Sequence, residues 1–242
     1  GVRAEPADGI DRWREGLRAR GVIRRQNIDA VISHLGSFTP PPFSRDLACT
    51  PVAASAAAMT TARLPRLLVF DLDACLWTPE MFELSAAPTK YDAAAGGVRA
   101  GSECVRLFPG ALAVLRRLTD PAFSAVKIAV ASSTTEPAFA ATCLEQLVVT
   151  DEPRVTVADL VDYRQIYPAN KGRRHFPALQ RESNIPFSEM IFFDDCTYGD
   201  NCRDVSSACA GVLSMRTPSG LDERAFDDAL KAFAEGKTGV LR

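Results

Sequence analysis

Apolar residues in this chain gather into short runs, and four of them lead directly into polar clusters. Leu67-Leu68-Val69-Phe70 precedes Asp71-Leu72-Asp73, and Lys127-Ile128-Ala129-Val130-Ala131 precedes Ser132-Ser133-Thr134-Thr135. Tyr167-Pro168-Ala169-Asn170 leads into Lys171, and Met190-Ile191-Phe192-Phe193 ends in Asp194-Asp195. Unbroken apolar runs of this length are the pattern of strands buried on both faces of a parallel sheet. Strands are expected at 67–70, 126–131, 161–167, 190–193 and 212–215. Between them the spacing turns helical. Pro109-Gly110 opens a stripe of Leu112, Val114, Leu115 and Leu118. Thr134 or Thr135 is expected to cap a helix carrying Phe139, Cys143, Leu144 and Leu147. Further helices are expected at about 173–182, 201–209 and 222–234. This alternation predicts an α/β fold: a three-layer parallel sheet with helices on both faces. Residues 78–108 keep no period and carry Gly96-Gly97 and Gly101. They predict a loop or short β-flap, with little or no cap domain.

Residues 1–62 differ in character, and 63–242 form the expected catalytic domain. The segment from Asp11 to Leu35 sets six arginines beside Trp13, Leu17, Ile28, Val31 and Ile32, a basic amphipathic pattern. A Pro40-Pro41-Pro42 run and an Ala/Ser/Thr-rich stretch to Ala62 follow, a composition poor in the apolar surface needed to offset ordering entropy. The expectation is a flexible arm or an organelle transit segment, although Glu5, Asp8, Asp11, Glu15 and Asp29 argue against the latter. Met59 lies close enough to Asp71 to begin a compact catalytic protein. The expected location is cytoplasmic, or plastid or mitochondrial if the leader is a transit peptide.

Composition narrows the function classes further. Hydrophobic residues make up 47% and charged residues 24%, the balance of an ordinary globular protein. A net charge of -2 offers no general attraction to nucleic acid or to acidic membrane surfaces. No apolar run approaches the ~20 residues that span a bilayer. Seven cysteines at irregular spacings suggest reduced thiols rather than a disulfide framework or a zinc knuckle. A monomer is expected.

The polar clusters carry the chemistry. Asp71 and Asp73 follow a buried strand, and in open α/β sheets ligands bind beyond the carboxyl ends of strands. Two carboxylates this close need a cation, a shared proton or solvent. The order Asp-x-Asp, Ser/Thr, Lys, Asp-Asp along the chain resembles that of the haloacid dehalogenase-like hydrolases. Within them, Asp71-Leu72-Asp73-Ala74-Cys75-Leu76-Trp77 is similar to the Asp-Leu-Asp-Tyr-Thr-Leu-Trp motif of the magnesium-dependent phosphatase family. Ile166-Tyr167-Pro168 and the stretch Ile185 to Asp195 are similar as well.

That resemblance implies a Rossmann-like core and a Mg²⁺-dependent acid phosphatase acting on phosphomonoesters, phosphotyrosine in proteins or sugar phosphates among them. Asp71 is then the nucleophile, giving an aspartyl-phosphate. Asp73 is the general acid and base. Asp71, the backbone carbonyl of Asp73, Asp194 and Asp195 hold the metal through hard oxygens. Ser132, Ser133 and Lys171 contact the phosphoryl group. Trp77 is either pocket wall or core, and His34 and His175 are structural or solvated.

Three departures bear on affinity. Ala74 and Cys75 stand where the family has Tyr and Thr, and Ser133 where relatives usually carry Arg. They leave room for a second reading, a catalytically weak phosphoprotein-binding relative. A receiver domain places its acidic pair on the first strand and its acceptor on the third, the reverse of the order here. A mutase needs a closing cap that 78–108 is too small to supply.

Overall fold

The computed structural model describes residues 63–241, so the expected arm at 1–62 and His34 lie outside the described residues. The first strand among the described residues is β1 (Leu67–Phe70), whose four residues are all buried. It then makes an antiparallel flap of β2 (Trp77–Thr78), β3 (Tyr91–Asp92), β4 (Gly97–Ala100) and β5 (Glu103–Leu107), in the order β2-β5-β4-β3. Next come α1 (Pro109–Arg117), β6 (Lys127–Ser132), α2 (Pro137–Gln146), a hairpin of β7 (Val148–Asp151) and β8 (Arg154–Thr156), and α3 (Val157–Leu160). The second half holds β9 (Tyr163–Ile166), a π-helical turn at Lys171–His175, α4 (Phe176–Ser183), β10 (Met190–Asp194) and α5 (Asn201–Ala208). It closes with β11 (Leu213–Arg216), α6 (Glu223–Ala234) and β12 (Gly239–Leu241).

Six of these strands form one sheet in the order β12-β11-β10-β1-β6-β9, and every pairing in it is parallel. Counted along the chain this is the doubly wound order, and it reverses direction between β1 and β10. A crevice opens at such a switch point, beyond the strands' carboxyl ends.

The alternation within each strand divides the core in two. Leu68, Phe70, Ile128, Val130, Ile191 and Phe193 face α1, α2 and α6. Leu67, Val69, Ala129, Ala131, Met190 and Phe192 face α4 and α5 through Phe176, Leu179, Cys202 and Val205. This is why the strands read as unbroken apolar runs, and it makes the three expected layers.

Some local expectations shift. Neither threonine caps α2: its N-cap is Glu136, without a side-chain cap, while Thr134 Oγ1 accepts from the Glu136 N–H at 3.2 Å. The helix expected from Arg173 starts instead with the π turn, in which the Phe176 N–H reaches back to the Lys171 carbonyl. Pro177, next in line, has no N–H to give Arg173, so a regular α-helical turn is broken there.

Candidate active site

Both acid pairs sit at the switch point, Asp71 just past β1 and Asp194-Asp195 at the end of β10. The chain turns sharply after each. Ala74 and Cys196 take left-handed conformations, at φ 56° and φ 60°, which cost a non-glycine residue about 1 kcal/mol or more. Backbone held in that way brings Asp71, Asp73 and Asp195 to one crevice, with Asp194 buried behind them. Arg216 grips Asp200, the N-cap of α5, at 2.6 and 3.2 Å, fixing the helix start that carries Asn201.

One oxygen from each of Asp71, Asp194 and Asp195 lies within 4.8 Å of the others. Opposite oxygen ligands of a magnesium ion stand about 4 Å apart, so the trio fits a small hard cation once the side chains close slightly. Lys171 is woven into it, with Nζ 2.5 Å from Asp194 Oδ2 and 2.7 Å from Asp71 Oδ1. The lysine is only 2% exposed. It can run so deep because Gly172 follows it: a Cβ there would meet the Asp204 carbonyl oxygen of α5 at 2.8 Å. Burial works against the lysine's charge, but Asp71 and Asp194 outweigh it and raise the pKa. Burial likewise drives the Asp71 carboxyl well above the usual range, with Lys171 opposing and the other two aspartates adding to the rise.

Within the pair after β10 the two acids differ. Asp194 is fully buried, and its Oδ1 accepts from the Cys196 N–H at 2.8 Å and from Asn201 Nδ2 at 3.1 Å. Asp195 accepts from the Thr197 N–H at 2.8 Å through Oδ2 and lines the crevice. Asp194 thus anchors Lys171 as well as joining the acidic trio, and Asp195 carries the trio to the open cavity.

The Asp73 carboxylate stands apart from the trio, leaving the main-chain carbonyl as this residue's route to an ion. Its Oδ1 accepts from Trp77 Nε1 at 2.7 Å and from the Met81 N–H at 3.2 Å. Burial raises its pKa and these donors hold it back. Trp77 is fully buried, so it belongs to the core and its indole edge orients Asp73. Cys75 is core too: its thiol donates to the Phe193 carbonyl at 3.7 Å and accepts from Thr217 at 3.4 Å, and burial keeps it protonated.

Asp71, Asp73, Ser132, Ser133, Lys171 and Asp195 line one cavity of about 490 Å³. Ser132 closes β6 and is buried, its Oγ accepting from the Thr134 N–H at 3.3 Å. Ser133 is exposed and donates to the Ala169 carbonyl at 2.9 Å, joining the loop after β6 to the loop before Lys171. Arg173 and Arg174 are not among the lining residues. The mouth has no local signature in the chain. There Glu80 and Phe82 from the flap meet Tyr198 from the loop after β10, with Tyr198 Oη donating to Glu80 Oε1 at 3.2 Å. Phe82 and Tyr198 stand edge to face, centroids 6.0 Å apart. The contact joins positions 118 residues apart in segments without a period, so nothing local announces it.

Comparison with known proteins adds the family. The acid phosphatase family profile matches residues 63–236. The chain belongs to the acid phosphatase family. The match contains every residue of the site. Within this setting the human protein named magnesium-dependent phosphatase 1 is 38% identical over 185 residues, 75% of this chain and 94% of that protein. A HAD-like hydrolase superfamily protein of Schizosaccharomyces pombe is 30% identical over 135 residues, 54% of this chain and 76% of that one. A phosphatase-domain crystal structure from Bacteroides fragilis, complexed with Mg, aligns at TM-score 0.48 and 19% identity over 72% of this chain and 41% of that chain.

Proposed function

We propose that this acid phosphatase family member is a magnesium-dependent phosphomonoesterase that works through an aspartyl-phosphate on Asp71. The observation that carries the reading is the division of labour between two aspartates two residues apart. Asp71 lies in the cation cluster with Lys171 at its Oδ1, whereas Asp73 is turned out of it by Trp77 and Met81. Both face the same cavity. Two carboxyl groups in different environments are the arrangement of a nucleophile beside an acid–base group.

In this reading the Asp71 oxygen not held by Lys171 attacks phosphorus, and the bond from phosphorus to the leaving oxygen breaks. The protonated Asp73 gives its proton to that oxygen as it departs. Asp73, now a carboxylate, takes a proton from water as the water's oxygen attacks phosphorus. The bond between phosphorus and Asp71 breaks, releasing inorganic phosphate and restoring the free carboxylate. Asp71, Asp194, Asp195 and the Asp73 carbonyl would hold magnesium, which would neutralise phosphoryl oxygens when bound. Lys171 keeps the buried acids from repelling one another, and Ser132 with nearby backbone N–H groups receives the remaining phosphoryl oxygens.

Phe82 and Tyr198, 56% and 72% exposed at the mouth, favour an ester with an aromatic leaving group, such as phosphotyrosine, over a sugar phosphate. A panel of phosphomonoesters assayed with Mg²⁺ and with excess chelator tests this reading. Metal-dependent hydrolysis is expected, fastest on aryl esters. Equal rates in chelator, or no turnover of any ester, would overturn it.

A further inference from the structure

His175 is fully buried and lines no part of the cavity. It ends the π turn that begins with Lys171, a kind of local widening that is frequent at functional sites. Its Nε2 lies 3.0 Å from the carbonyl oxygen of Ser132 and 3.1 Å from that of Tyr167. Both partners can only accept, so Nε2 carries the proton and shares it between them. The first carbonyl belongs to the serine at the phosphate end of β6. The second opens the loop that runs through Ala169 to Lys171. The imidazole is thus a clasp beneath two walls of the cavity, which the Tyr167 N–H joins to the same Ser132 carbonyl at 3.1 Å beside the β6–β9 pairing, and which Ser133 and Ala169 join again at the surface.

The ring is fixed as well as paired. It stacks on Tyr167 with centroids 4.3 Å apart and planes 9° from parallel. Nδ1, by contrast, has no hydrogen-bond partner among the described residues, although it is buried. An unpaired buried acceptor costs stability, and a phenyl ring would fill the same space without that cost. An imidazole at this position is therefore explained by its one donor, not by packing.

We infer that His175 is a positioning residue for phosphate recognition, holding the Ser132 wall and the Tyr167–Lys171 wall at the spacing a phosphoryl group requires. It touches neither substrate nor metal and acts through the two carbonyls. This rests on the reading of the cavity as a phosphate site, but its test does not need turnover.

The test compares His175→Phe, which keeps the ring and removes the donor, with His175→Gln, which places an amide N–H near Nε2 and removes the stack. Binding of inorganic phosphate is measured by calorimetry with Mg²⁺ saturating, binding of Mg²⁺ alone in parallel, and KM and kcat on an aryl phosphate. Weakening of phosphate binding in the phenylalanine variant on the order of tenfold is expected, the effect of losing about 1.4 kcal/mol. KM should rise with it, while Mg²⁺ affinity and kcat stay near wild type. The glutamine variant should recover most of the loss. Wild-type phosphate affinity in His175→Phe, or a glutamine variant no better than phenylalanine, overturns the assignment. Should the phenylalanine protein fail to fold, a folded glutamine variant that binds phosphate tenfold more weakly than wild type overturns it alone, and near-wild-type binding supports it. A wild-type protein that binds phosphate yet hydrolyses no ester contradicts the proposed reaction instead, and the variants still decide the role of His175.

Discussion

Trp77 Nε1 donates to Asp73 Oδ1 at 2.7 Å, from an indole with no exposed surface. A donor on a carboxylate favours its charged form, so its removal makes the carboxyl harder to ionise. In Trp77→Phe the Asp73 pKa moves up, and the acid stays protonated to higher pH. Protonated Asp73 is needed to expel a poor leaving group, so the alkaline limb of kcat on an alkyl phosphate should shift upward, by about one unit or less. An unmoved or downward-shifted limb in a protein that still folds would separate Trp77 from the acid.

Lys171 is enclosed by Asp71 and Asp194. Removing one partner of a buried ion pair costs about 3–5 kcal/mol, because it strands the other charge. Lys171→Met should melt well below wild type in chelator and gain more from Mg²⁺ than wild type does, since the cation partly replaces the lysine. Activity should be lost. Equal melting temperatures in chelator would show that the lysine is not what balances the acids.

Much of this arrangement was readable in advance, for a physical reason. Strands covered on both faces must be apolar at every position, so β1, β6 and β10 stand out, and the polar residue after each marks the sheet's carboxyl edge. The residues that escaped notice answer to contacts distant in sequence. The β7–β8 hairpin is too short to show alternation, and β12, Gly239–Leu241, offers two apolar residues. Tyr198 and Phe82 look like stray surface aromatics until the fold sets them together. Trp77 and His175 were legible as bulky or polar residues, but their bonds to Asp73 and to the Ser132 carbonyl depend on the folded loops.

Ser133 is exposed in the cavity and engaged only with the Ala169 carbonyl, with Arg173 and Arg174 outside the lining. Among the described residues Lys171 is the cation that lines the cavity, and no arginine does, although the family resemblance implies one at this position. A guanidinium can grip an anionic oxygen with charge-assisted bonds worth about 1.5–3 kcal/mol, against 0.5–1.5 for a neutral hydroxyl. Ser133→Arg should therefore lower KM on the order of tenfold with little change in kcat. A raised KM would mean that the pocket is shaped around the small side chain.

The central claim is the covalent role of Asp71, and trapping tests it most directly. Protein mixed with a phosphomonoester and Mg²⁺ is quenched in acid within one turnover, reduced with borohydride and mapped by peptide mass spectrometry. An aspartyl-phosphate is reduced to homoserine, so homoserine is expected at position 71 in wild type and none in Asp71→Asn. Turnover without any reduced aspartate, or with homoserine at position 73, 194 or 195 instead, would contradict it.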